Sequence, residues 1–178
     1  MEEYRITPVE LYYLGVLLDA KYIDYQYISE MPDIQNNYQV TEQKTLEQLE
    51  KRNMIEQDFD GTVTVNEELS SLLAPVFFGS IECRVMTTWV EGNLHIDENR
   101  MTFVSREHDF YLLEEINDTA LKEMIVNQEL ELQAMNIQKG FYSKTFSEEE
   151  MSLNETINLA ISIMKGDWQD AGSTNSYQ

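Results

Sequence analysis

The chain has 178 residues, 42% of them hydrophobic, which is enough for a packed core and too many for a disordered chain. Lys and Arg number 12 against 33 Asp and Glu, a net charge of −21 spread along the chain without a basic island, which disfavours nucleic acid and anionic lipid surfaces. No apolar run reaches the roughly 18–20 residues of a membrane span, the N-terminus MEEYRITPVE lacks an apolar signal core, and a single cysteine, Cys83, fits a reducing, cytoplasmic location.

Thr7-Pro8-Val9-Glu10 is a capping box that starts a first helix, with Leu11, Leu14, Leu17 and Leu18 at helical spacing and Gly15 inside it. Tyr22 to Met31 reads as a second helix, ended by Pro32. Seven of the ten tyrosines (Tyr4, Tyr12, Tyr13, Tyr22, Tyr25, Tyr27 and Tyr38) fall in this N-terminal stretch. Their rings suit partly covered surfaces, either core edge or binding face. Thr41 is the expected cap of a third helix running to Arg52, with Asn53 as a left-handed stop. Met54 to Phe59 and Thr62 to Val65 read as two strands around an Asp60-Gly61 turn. Asn66 caps a short helix, Glu67 to Ala74, which Pro75 is expected to close.

The period then changes to two. Ile81, Cys83, Val85, Thr87 and Trp89 alternate with polar or exposed positions, predicting a strand with one buried face. Leu94 and Ile96, Met101 to Val104, and Phe110 to Leu113 predict further strands of an antiparallel meander, with a break over 105–109. Asn117 or Asp118 caps a helix whose stripe is Leu121, Met124, Ile125, Gln128, Leu132 and Met135. Leu130, Leu132 and Ala134 also alternate as a strand does, and Lys139-Gly140 is the stop. A second capping box, Ser147 to Glu150, opens a last helix with Leu153, Ile157, Ala160, Ile161 and Met164. The expected class is α+β: N-terminal helices with a winged-helix-like hairpin (7–75), antiparallel strands (81–115) and C-terminal helices (118–165). These form one domain over 1–165, followed by a flexible tail at 166–178.

Catalytic signatures are missing: no Gly-rich phosphate loop, GxSxG elbow, HExxH or paired CxxC occurs. His95, His108 and Cys83 could at most meet across a meander as metal ligands, and their spacing matches no metal site. Ser105, His108 and Asp109 are too close in sequence for a triad. Cys83 is read as an inert buried thiol. The expectation is a protein with no enzyme activity, catalytic residue, metal or cofactor.

Residues 46–65, LEQLEKRNMIEQDFDGTVTV, have the outline of a winged helix. As a DNA reader the outline fails on charge. The helix balances Lys44, Lys51 and Arg52 with Glu42, Glu47 and Glu50, and the wing carries Glu56, Asp58 and Asp60. The run from ITPVELYYLGVLLDAKYI through TLEQLEKRNMIEQDFDGTVTVNEELSSLLAPVF to a strand near Ile81 resembles the EspG-like proteins, cytosolic chaperones of type VII (ESX) secretion. Leu46, Leu49, Arg52, Met54, Ile55, Gly61, Val63, Leu69, Leu72, Leu73 and Pro75 stand at matching places, over about residues 6–115. Asn53 stands where that family usually has Gly, the chain is shorter, and it is poor in Ala. The resemblance implies a cytosolic chaperone or adaptor that binds a helical secreted substrate, WXG-like or LXG-type. It places a contact loop near Trp89, Val90, Glu91 and Asn93. A winged-helix regulator and a toxin-immunity protein are the alternative readings. Partner identity and oligomeric state are not legible.

Overall fold

The computed structural model describes residues 3–29, 31, 38–79, 81–87, 91–97, 100–117, 119–120, 123, 132–139 and 142–146. Strand β1 (Tyr4–Ile6) leads into helices α1 (Pro8–Leu17), α2 (Tyr25–Ile28) and α3 (Tyr38–Lys51). The hairpin β2 (Ile55–Gln57) and β3 (Val63–Val65) follows, then α4 (Glu67–Phe78). Strands β4 (Ile81–Thr87), β5 (Glu91–Asp97), β6 (Arg100–Glu107), β7 (Phe110–Glu115), β8 (Leu132–Lys139) and β9 (Tyr142–Phe146) complete a seven-stranded antiparallel sheet of order β1-β7-β6-β5-β4-β8-β9. The class is α+β, as expected. Among the described residues no helix is long and apolar enough to cross a membrane.

The capping box is formed: the Glu10 amide donates to Thr7 Oγ1 at 3.2 Å, and the Thr7 amide donates to Glu10 Oε2 at 2.9 Å. Glu10 does more than cap. Buried beneath α3, it takes Arg52 Nη1 on both carboxylate oxygens (2.9 and 3.0 Å), and Arg52 Nη2 also donates to the Arg5 carbonyl. One carboxylate thereby joins the start of α1, the end of α3 and strand β1. Gly15 has a packing reason, since a Cβ there would lie 2.7 Å from Ile23 Cδ1.

Several element boundaries differ from the sequence expectation. Helix α2 is a single turn capped by Asp24, in place of a helix over 22–31. Helix α3 begins a turn earlier than Thr41, where the Tyr38 ring packs against Tyr13 (centroids 5.8 Å apart) and the Tyr38 carbonyl accepts from the Tyr13 hydroxyl. Asn53 does supply the left-handed stop, at φ 56°. Pro75 lies inside α4 instead of ending it. Proline inside a helix costs about 3 kcal/mol, offset here by packing of Val76 and Phe77 on the core beyond it. The Gly79 amide closes the last turn onto the Pro75 carbonyl.

Residues 105–107 stay in β6, and the break narrows to His108-Asp109, with His108 at φ 55° in place of a glycine. The largest correction lies at 132–139 and 142–146. These are paired strands, with β8 on β4 and β9 on β8, and not the end of a helix. The alternation of Leu132 and Ala134 was the stronger signal, because β4 has a second edge that needs a partner. Asn117 is the cap of the intervening helix start, accepting from the Ala120 amide at 2.8 Å. The expected helix over 147–165 and the tail at 166–178 lie outside the described residues.

Helices α1 to α4 cover one face of the sheet. The core there joins Ile6, Leu11, Leu14, Leu49, Leu69, Leu73, Val104 and Leu113. Leu94, Ile96, Met101 and Phe103 point to the opposite face and are buried as well. The middle strands are therefore hidden on both sides, and what lies between them and the helices is partly polar.

Candidate functional site

The polar layer is built on β5. Asn93 and His95 share the helix-facing side, because side chains two residues apart on a strand point the same way, and they are only 7% and 5% exposed. Above them sits α2. Asp24 accepts from the Gln26 amide at 3.0 Å and so fixes the one-turn helix that hangs Gln26 and Tyr27 over the sheet. The Tyr27 hydroxyl meets His95 Nε2 at 2.5 Å and Asn93 Nδ2 at 3.2 Å. Asn93 Nδ2 also donates to Gln26 Oε1 at 2.9 Å, and Gln26 Nε2 donates to Glu82 on β4 and to Asp24, each at 2.9 Å. From β7 the Tyr111 hydroxyl donates to the Tyr27 carbonyl at 3.1 Å, while its ring stands edge-on to the Tyr27 ring, centroids 5.1 Å apart.

Protonation follows from burial. Desolvation drives His95 down to about 4, with Asp24 pulling weakly the other way, so the imidazole is neutral at pH 7. Desolvation pushes the Tyr27 hydroxyl up, so the phenol keeps its proton. A neutral phenol facing a neutral imidazole donates to Nε2, which leaves the phenol oxygen to accept from Asn93 Nδ2. The Asn93 amide is thereby oriented, with both contacts at its nitrogen end. Its Oδ1, buried, has no partner among the described residues. Glu82 is also raised, first by burial, with the Gln26 bond opposing.

Beside this layer opens a pocket of about 520 Å³, bordered by Gln26, Arg84, Asn93, Ser105, Arg106 and Tyr111. Arg84 is ion-paired with Glu91. The Arg106 guanidinium lies 5.7 Å from the Tyr111 ring centroid, and its Nε donates to the His108 carbonyl. Two of the chain's 12 cations thus meet at one opening.

Of the four expected contact residues, Trp89 and Val90 lie outside the described residues. Glu91 starts β5, exposed and bonded to Arg84, and Asn93 is buried in the polar layer. Gln26, Tyr27, Arg84, His95, Arg106 and Tyr111 were not singled out as a group. Their only sequence signal is a polar Asn-x-His alternation within a strand, which reads equally as a solvent face. Among the described residues no group of three or more His, Cys, Asp and Glu could hold an ion. The hairpin β2–β3 carries Phe59 fully exposed at its tip, among the carboxylates of Glu56, Asp58 and Asp60.

No family model matches the chain, and no curated protein matches it. Among solved structures, the chain is similar to the Mycobacterium tuberculosis type VII secretion system chaperone EspG5, determined in complex with a PE25–PPE41 dimer. The TM-score is 0.51 at 8% identity, over 71% of this chain and 51% of that one. The chain therefore spans about half the length of that chaperone. At such low identity the likeness speaks for the fold, which agrees with the resemblance of residues 6–115.

Proposed function

We propose that the protein is a cytosolic, non-enzymatic chaperone or adaptor that binds a secretion substrate of a type VII system. The observation that carries this reading is the fold shared with EspG5, a chaperone solved with its protein partner bound. The acidity supports a protein partner over nucleic acid. In this reading the partner is a helical secreted protein, and contact runs through the connection between β4 and β5 and the start of β5: Trp89, Val90, Glu91 and Asn93. The protein is one domain over 1–165. Glu91 and Asn93 border the pocket beside α2, so the contact segment and the polar layer are continuous.

The test is a pull-down from native cytosol with the tagged protein, the captured proteins being identified by mass. A small helical substrate of a type VII system is the expected capture. A folded toxin domain would move the reading to an immunity protein. DNA that survives nuclease controls would move it to a winged-helix regulator. With the substrate in hand, Trp89→Ala is expected to weaken binding while leaving the fold intact. Global unfolding of that variant would instead make Trp89 a core residue.

A further inference from the structure

We infer that the pocket beside α2 binds a carboxylate that carries an N–H donor next to it, as at the C-terminal end of a peptide. Two independent observations carry this. The first is Asn93 Oδ1, an acceptor on a side chain 7% exposed that has no partner among the described residues. The amide cannot turn to find one, because its nitrogen is held by Gln26 and Tyr27 together. An unpartnered buried carbonyl costs free energy, which a ligand N–H recovers once the lining moves aside to admit it. The second is the presence of Arg84 on β4 and Arg106 on β6 at the same opening, with β5 between their strands. Among the described residues that border it, these two cations stand with one carboxylate, that of Glu91, in a chain of net −21. Guanidinium forks bind planar carboxylates on two bonds. The pocket's volume falls within the range of ligand sites and suits one or two residues of a peptide.

Glu91 gives the site its internal competitor. It holds Arg84 through an exposed ion pair, and surface pairs of this kind add little to stability. A ligand carboxylate takes the place of the Glu91 carboxylate on Arg84. Removing the competitor strengthens binding, and removing the arginine weakens it. If the adaptor reading holds, the carboxylate belongs to the secreted partner, but the pocket chemistry is independent of that reading.

The experiment is a titration of the isotope-labelled full chain with N-acetyl-glycyl-alanine, its C-terminal amide, and N-acetyl-aspartate methylamide, followed by NMR of the Asn93 side-chain amide and the Arg84 and Arg106 Nε signals. The free acid is expected to shift these signals and to bind about tenfold more tightly than the amide, as loss of one charge-assisted contact predicts. Arg84→Gln is expected to weaken it about tenfold, and Glu91→Gln to tighten it. Preference for the aspartate probe would assign the site to an internal acidic side chain and preference for the dipeptide to a chain end, and either supports a carboxylate site. Equal shifts by acid and amide, no shift with any probe, or the same sign of change in Arg84→Gln and Glu91→Gln would overturn the inference. The adaptor reading stands or falls separately on the pull-down.

Discussion

Lowering the pH from 7 to 5 is expected to remove about 2 kcal/mol of stability through His95. Burial holds this imidazole at about 4 in the folded chain, against 6.5 when free. The unfolded chain therefore binds a proton that the folded chain refuses. Stability rises with pH wherever the unfolded state binds more protons. The contribution is complete above about 6.5 and is lost as the pH falls from there toward 4. At roughly 1.4 kcal/mol per pH unit, the part of that window between pH 7 and 5 is worth about 2 kcal/mol. His95→Gln keeps an oxygen that can accept from the Tyr27 hydroxyl and removes the titration. Glu82 and Glu114, both raised by burial, act in the opposite sense, since a carboxyl that binds its proton more tightly when folded gains stability as the pH falls. They are present in both proteins and drop out of the difference. Glu82 faces His95 across the β4–β5 pair, so Glu82→Gln is placed in both backgrounds as a check on coupling. Urea unfolding of the four proteins at pH 7 and pH 5 measures the effect. The stability gap between wild type and His95→Gln is expected to move by about 2 kcal/mol toward the variant at pH 5. A gap that stays constant between the two pH values would refute the claim that the fold keeps His95 neutral.

Arg52→Met strands the Glu10 carboxylate, buried and stripped of its two-oxygen partner, and is expected to cost about 2–3 kcal/mol in urea unfolding; Glu10→Gln in the same chain should return part of it. Gly92→Ala brings a Cβ within 2.3 Å of Phe103 Cζ and 2.8 Å of the Val104 carbonyl, so it is expected to lose about 1–3 kcal/mol, partly relieved by Phe103→Leu. Leu69→Ala, at a fully buried core position of α4, should lower stability by about 2–5 kcal/mol, measured in the same way. Phe59→Ser at the exposed hairpin tip should leave the unfolding midpoint within about 0.5 kcal/mol of wild type, and a larger loss would mean that the tip packs against the body.

What could be read from sequence was whatever the chain states locally. Thr7 and Glu10, Asn53, Asn66 and Asn117 announce helix ends through their own side chains, and each does the expected task in the structure. The alternation from Ile81 onward yielded the meander. The misses share a different cause, which is satisfaction from far along the chain. Pro75 is held in α4 by packing, the early start of α3 by Tyr13, and β8 by the open edge of β4. The candidate site was least legible of all. Asn93 and His95 look solvent-facing in a pattern of period two, and only the arrival of α2 from nearly seventy residues upstream makes them buried. Arg84 and Arg106 are lone cations in sequence and become neighbours at a pocket only through strand register.

The placement of β1 has a consequence for how the chain is made. Tyr4–Ile6 pair only with Phe110–Glu115 among the described residues, and β7 is also the strand that brings Tyr111 under α2. Strand β1 is thus synthesised well before the partner it pairs with. At ribosomal speeds of about 5–20 residues per second, the gap of roughly a hundred residues is on the order of ten seconds. Through that interval α1 to α4 have no sheet to rest on, and helices of their length are marginal alone in water. Ile6 and the apolar side of α1 stay uncovered until β7 leaves the ribosome, and closure waits on a contact of high sequence separation, the slow kind to form. Stalling or truncation before residue 110 leaves a nascent chain with an open strand edge and a bare helix face, which is the state in which it is most prone to aggregate.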